Sequence, residues 1–205
     1  MTSNVQHSRK KEGLTVKDLI IMGVFGALLM VCSMIGGVFF AVTPTLTFYF
    51  SIGAAIFPGP VFLLLLAKVP KRFALTIIGL IVSLLSLILG MHWGMCVGGL
   101  LGSFLADMIA GSGGYRSKKR NTLAYIVYSF GPMGTYIAYF INPGAWADTM
   151  LKNGTTMEYI EAMNQTAAWW VLVIMVVGTA LAAWLSAAVG SRLLRKQFEK
   201  AGITA

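Results

Sequence analysis

Few side chains in this sequence are suited to chemistry, and two of them stand apart. Asp107 lies inside the apolar stretch GSFLADMIAG, about two helical turns ahead of the cations Arg116, Lys118, Lys119 and Arg120. An unpaired carboxylate deep in an apolar medium costs about 2.5–3.5 kcal/mol, so Asp107 needs a partner or a task. It can pair with a loop cation such as Arg116 or Lys118 and fix the loop. It can serve as a hinge or docking contact. It can also relay protons, but a relay needs partners along its path, and beyond the capping residue Asp18 no other acid falls within an apolar run. The second residue is His92, beside Trp93. The only other histidine, His7, stands near the chain start. A metal centre needs several nitrogen, oxygen or sulfur ligands converging on one point, so no metal and no cofactor are expected.

Enzyme signatures are missing. The sequence has no HExxH, no phosphate-binding GxxxxGK and no GxSxG elbow, and a serine nucleophile near any apolar run would have only His92 for a base. The chain is expected not to be an enzyme, and any uphill work it performs must draw on a partner or an ion gradient. Cys32 and Cys96 both fall in apolar runs and read as small buried hydrophobes.

The elements that must carry these residues follow from composition. The chain is 57% hydrophobic and 11% charged, and its mean hydropathy is +0.77. Soluble domains carry about 25% charged residues, so too few polar side chains remain here to cover a water-facing surface. Apolar runs of about 20 residues are then membrane spans. Six are predicted, at about 16–38, 46–67, 72–90, 95–111, 121–141 and 167–191. Thr15 to Asp18 resembles a capping box at the start of the first. Pro58 and Pro60 should kink or break the second, and Pro132 sits in the middle of the fifth. The fold class is all-α, a polytopic six-helix membrane bundle.

Charge placement orients it. Fifteen of the sixteen Lys and Arg residues lie before the first run, in alternate connections or after the last run, and only Lys152 falls elsewhere. The positive-inside rule places those segments in the cytoplasm, with both termini there: a tail over 1–15, a membrane domain over 16–191 and a tail over 192–205. The same placement argues against nucleic acid as the partner of a net charge of +9. The longest outer segment is 142–166. In TMEYIEAMN, Met157, Ile160 and Met163 recur every three residues, a pattern that fits a short helix lying on the outer face. Such a helix is either an interfacial turn or a lid over an outward-facing site.

Aromatics gather at the outer ends: Phe48, Tyr49, Trp93, Tyr139, Trp146, Tyr159, Trp169 and Trp170. They form either an interfacial belt or, in part, a pocket shared with amides such as Asn142, Asn164 and Gln165. The pocket reading gives a solute site of Tyr49, His92, Trp93, Tyr139, Asn142, Trp146, Asn164 and Trp169. Small residues mark close helix packing. Gly94, Gly98, Gly99, Gly102, Ser103 and Ala106 crowd the fourth run, where packing inside the bundle explains them. Gly23 and Ala27, four apart in the first run, can face another membrane protein.

Three stretches, LTVKDLIIMGVFGALL, GGLLGSFLADMIAGSGGYRSKKRN and LKNGTTMEYIEAMN, occur in this order on six spans. In them the chain resembles the substrate-capture (S) components of energy-coupling factor (ECF) transporters, and more narrowly the Trep_Strep (MptD-type) family. The resemblance covers nearly the whole chain. It implies a bacterial cell-membrane protein that captures a small solute, such as a vitamin or related micronutrient, at the outer face. It implies docking through a small-xxx-small face, here Gly23 and Ala27, onto a transmembrane coupling (T) component, with two ATPase subunits supplying energy. It also implies a solute site built from the loop between the first two helices and the outer ends of the last three. Asp107 and Arg116 would then position the inner end of the bundle. The competing readings are a stand-alone ion-coupled carrier, a scaffold without a solute site and a membrane enzyme.

Overall fold

The computed structural model describes residues 13–195, and most of the two predicted tails, 1–12 and 196–205, lies outside the described residues. Ten α-helices and one 3-10 helix occur among them. The first, α1 (Val16–Ala41), opens with the expected capping box: Thr15 Oγ1 accepts from the Asp18 amide, and Asp18 accepts from the Thr15 amide at 2.7 Å. At 26 residues it is about 39 Å long, enough to cross a hydrocarbon layer of about 30 Å. Most of its surface is open, with Ile20, Val24, Leu28, Val31 and Ile35 exposed. Such an apolar surface is unfavourable against water.

Next come the 3-10 helix Pro44–Tyr49, α2 (Phe50–Ala54) and α3 (Gly59–Lys68). The interruption at 55–58 is the one that Pro58 and Pro60 dictate, since proline lacks an amide proton and its ring displaces the preceding turn. In an apolar medium the freed backbone groups must find protein partners, and they do. Tyr125 donates its hydroxyl to the Ala55 carbonyl at 2.7 Å, and the Gly59 amide donates to Ser186 Oγ at 3.1 Å.

Helix α4 (Ala74–Ile88) has 15 residues, and α5 (Trp93–Ser112) has 20. Serines lie over glycines where they cross: a Cβ on Gly79 would collide with the Ser103 side chain, and one on Gly99 with Ser83 Oγ. The predicted fifth run is two helices, α6 (Lys118–Ser129) and α7 (Met133–Ile141), separated at 130–132. Gly94 and Gly98 of α5 press against this second break, where a side chain would strike the Gly134 and Gly131 carbonyls. The glycine stripe therefore serves packing within the bundle, as expected.

Residues 142–166, expected on the outer side, hold α8 (Pro143–Lys152) and α9 (Met157–Asn164). The second is the helix that the Met157, Ile160, Met163 pattern predicts, with Ile160 and Met163 buried and Met157 exposed. The first was not anticipated, although Asn142 as cap and Pro143 at the first helical position are its ordinary signal. Helix α10 (Trp169–Leu193) closes the bundle against α3 and α6.

Val16–Ala41, Pro44–Lys68, Trp93–Ser112 and Trp169–Leu193 are long and apolar enough to cross a membrane, while Ala74–Ile88 is apolar but shorter. The buried side chains form two clusters. One, around Phe62, Leu65, Leu66, Leu75, Ile78 and Tyr125, fills the end that carries Lys68, Lys71, Arg72 and Arg116. The other, around Phe48, Tyr136, Tyr139, Trp146, Met163 and Met175, fills the aromatic end.

Candidate functional site

At the basic end, Asp107 is buried and belongs to α5. Its carboxylate caps a different helix. One oxygen accepts from the Thr76 amide at 3.2 Å and the Thr76 hydroxyl at 2.9 Å, and the other accepts the Tyr115 hydroxyl at 2.6 Å. Thr76 stands in the first turn of α4, whose own cap residue, Phe73, makes no side-chain cap bond and has a left-handed backbone (φ 67°). A carboxylate at that N-terminus satisfies an orphaned amide and meets the positive end of the helix dipole. The expected pairing with Arg116 or Lys118 is not what forms. Arg116 is exposed, and the loop's contribution is the Tyr115 phenol, turned inward by its own left-handed backbone (φ 61°). Burial, and then the bond to Asp107, push the Tyr115 phenol well above its ordinary pKa, so it stays a donor. The nearby ion pair is Lys71 with Asp18 at 2.8 Å; Lys71 also donates to the Gly13 carbonyl at 3.0 Å.

At the aromatic end a cavity of about 410 Å³ opens between the ends of α1, α2, α5 and α7 and the short helices α8 and α9. Pockets for small molecules run to about 300–1,000 Å³. One wall carries His92, Trp146 and Thr135, and another Thr47, Tyr136 and Tyr159. Met91, Met95, Met150 and Phe50 supply apolar surface. Trp146 is buried and donates its indole proton to Thr135 Oγ1 at 3.0 Å. Its ring stacks near His92, with centroids 6.1 Å apart, and meets Tyr139 edge-on at 5.4 Å. His92 is the cap of α5: its Nδ1 accepts the Gly94 amide at 2.9 Å. Burial holds the imidazole below its ordinary pKa, so the neutral ring carries its proton on Nε2.

Of the residues that the sequence nominated, His92 and Trp146 line the cavity. Tyr139 and Asn164 stand behind it, bonded to each other at 2.7 Å, and so tie α7 to α9. Asn142 is exposed and spends its side chain capping α8 through the Ala145 amide. Tyr49 is half-buried behind the wall. Trp93 and Trp169 are exposed, at 54% and 77%, and point out as a belt would. Residues that the nomination omitted include Thr47, Thr135, Tyr136 and the three methionines. Tyr159, read only as one of the outer aromatics, lines the cavity and donates its hydroxyl to the Ala41 carbonyl at 2.6 Å. The α8–α9 pair is also fastened by Asn153, which donates to the Gly90 carbonyl at 2.9 Å. Both helices, and the loop between them, contribute residues to the cavity's lining.

Gly23 and Ala27 are both exposed on α1, and a Cβ on Gly23 would meet nothing within 4 Å. Gly26, next to Ala27, faces inward against Ile78. Among the described residues no group of three or more His, Cys, Asp or Glu is placed to hold a metal ion.

Fold and site together define an all-helical integral membrane protein with a solute-sized cavity at one end. The chain matches, over residues 16–200, the family model Trep_Strep, described as a hypothetical bacterial integral membrane protein, and it belongs to that family. No curated protein and no solved structure matches the chain.

Proposed function

We propose that the chain is the solute-capture (S) component of an energy-coupling factor transporter in the bacterial cell membrane. In this reading α1, the broken α2–α3 unit, α4, α5, the broken α6–α7 unit and α10 are six spans, with both termini in the cytoplasm. Lys68, Lys71, Arg72, Arg116 and Arg192 flank the spans at one end, and the positive-inside rule turns that end inward. The cavity then faces out. It is the observation that carries the proposal: a solute-sized space, lined in part by α8 and α9, at the end away from the cations. A partner T component would dock on the exposed Gly23–Ala27 face, and two ATPase subunits would supply energy, since the sequence has no nucleotide-binding motif. The chain itself performs no reaction in this reading.

A stand-alone ion-coupled carrier is the alternative. It would need an ionisable group free to load and unload near mid-membrane. Asp107, the acid deepest in any span, is committed to Thr76 and Tyr115. Co-purification decides between the two. The tagged chain, expressed with T and ATPase subunits from the same organism and extracted gently, should retain the complete module. Gly23→Leu and Ala27→Leu should lose it. Recovery of the chain alone with every candidate module, together with uptake that follows a proton gradient, would establish the carrier instead.

A further inference from the structure

The cavity's chemistry narrows what it can hold. None of the residues around it is Asp, Glu, Lys or Arg. Its one ionisable base, His92, is neutral for two physical reasons: it is buried, and it sits at the positive end of the 20-residue helix α5. No wall side chain carries a charge to pair with a charged solute. The α5 terminus is already capped, its Gly94 amide on His92 Nδ1 and its Met95 amide on the His92 carbonyl. A charge brought there would lose its water with no opposite charge to compensate it.

Two of its polar groups, His92 and Thr135, are donors with a proton to spare. Nδ1 of His92 is occupied by the Gly94 amide, so Nε2–H is the ring's remaining function. Thr135 accepts from Trp146 and keeps its own hydroxyl proton. Thr47 and Tyr136 bond each other at 3.4 Å and Tyr159 donates to the Ala41 carbonyl, so these hydroxyls are engaged within the protein. Between these donors lie flat or polarizable surfaces, Trp146 and Met95 among them, which suit a π-system.

Met91, Met95, Met150 and His92 also make a soft ligand set of the kind that selects Cu(I). The histidine argues against it. A metal-bound imidazole donates its other ring N–H to a neighbour, whereas here the other nitrogen accepts a backbone proton.

We propose that the cavity selects an uncharged, flat heterocycle bearing hydrogen-bond acceptors, and discriminates against anions and cations of the same shape. This rests on reading the cavity as the solute site. The test uses the full chain in detergent and three probes that share one ring system: quinoline-4-carboxamide, quinoline-4-carboxylate and N-methylquinolinium. Isothermal titration should show the amide binding at least roughly tenfold more tightly than either charged probe, given the cost of an unpaired buried charge. His92→Phe keeps the ring but removes Nε2–H, and should weaken the amide roughly fivefold or more, the loss of one neutral hydrogen bond. Trp169→Ala, on the outer belt, should leave all three unchanged. Unfolding midpoints of each variant separate lost binding from lost fold. Equal or tighter binding of the carboxylate or the quinolinium would overturn the proposal. So would binding of none of the three at millimolar concentration, or Cu(I) binding that disappears in Met95→Leu. A failed co-purification would instead remove the capture role and leave the cavity's preference standing.

Discussion

The two ends of this bundle use similar ingredients for opposite purposes. At the basic end, Asp107, Thr76 and Tyr115 are buried together, and both carboxylate oxygens are bonded. At the aromatic end, His92, Thr135, Tyr136 and Tyr159 surround about 410 Å³ of space. The first group is saturated within the protein and joins α4, α5 and the loop before α6. The second ties Tyr159 to the Ala41 carbonyl but leaves His92 Nε2–H and the Thr135 hydroxyl proton without acceptors, beside room for something to accept them. Burial of polar groups is therefore not in itself a sign of function here. What distinguishes the ends is whether the hydrogen bonds close upon one another.

That contrast predicts where substitutions will act. The largest effect should come from Asp107→Ala, which strands the Thr76 amide and the Tyr115 hydroxyl in the interior. Each orphaned donor costs about 1–3 kcal/mol, so a total of about 3 kcal/mol should appear as a lowered unfolding midpoint in detergent. Asp107→Asn, which keeps one acceptor, should cost less. In neither variant should the surviving folded protein bind quinoline-4-carboxamide differently. A large binding loss with an unchanged midpoint would reverse the roles assigned to the two ends.

Tyr125→Phe comes next. It removes the donor that satisfies the Ala55 carbonyl at the first helix break, and should destabilise by about 1–2 kcal/mol, read by the same midpoint. An unchanged midpoint would mean that the break finds another partner.

Tyr159→Phe sharpens the comparison from the other side. It unfastens α9 from the Ala41 carbonyl at the edge of the cavity, where water can replace the lost bond. Stability should fall by no more than about 1 kcal/mol, while the bound amide should dissociate several times faster in stopped-flow measurements. A pure stability loss would show that this fastening is structural only.

The smallest effect is on pH. His92 has its pKa lowered by burial from the ordinary value of 6.5. The unfolded chain therefore takes up a proton that the folded chain refuses as pH falls through about 6.5. Its contribution to stability is complete above that pH and is lost progressively below it. His92→Phe should flatten this part of the stability profile. A profile that keeps its slope would assign the titration to another group.

Much of the frame was legible in the sequence because lipid leaves few choices. Apolar runs of span length must be helices, since every backbone group has to be satisfied within the segment. Pro58 had to interrupt the second helix, and Thr15 with Asp18 had to cap the first. Even the short helix α9 could be read from Met157, Ile160 and Met163, two of which the fold buries. The site was legible only in part. Aromatic enrichment at one end was plain, but belt and pocket draw on the same residue types. The sequence could not show that Trp146 turns inward while Trp169 turns out. Thr47, Thr135 and the methionines carried no signal, because each is an ordinary residue whose role depends on what stands opposite.

By itself, then, the sequence determined the solvent, the long apolar helices, the break at Pro58 and which connections carry positive charge. These follow from local hydropathy, backbone chemistry and charge counts. Only the tertiary structure decided the partners. It sent Asp107 to the N-terminus of α4 instead of to Arg116, and gave Asn142 to a cap instead of to the cavity. It also brought His92 beside Trp146, residues from different helices. Such pairings depend on how helices cross and rotate against one another, and that packing is a property of the whole bundle rather than of any single stretch of chain.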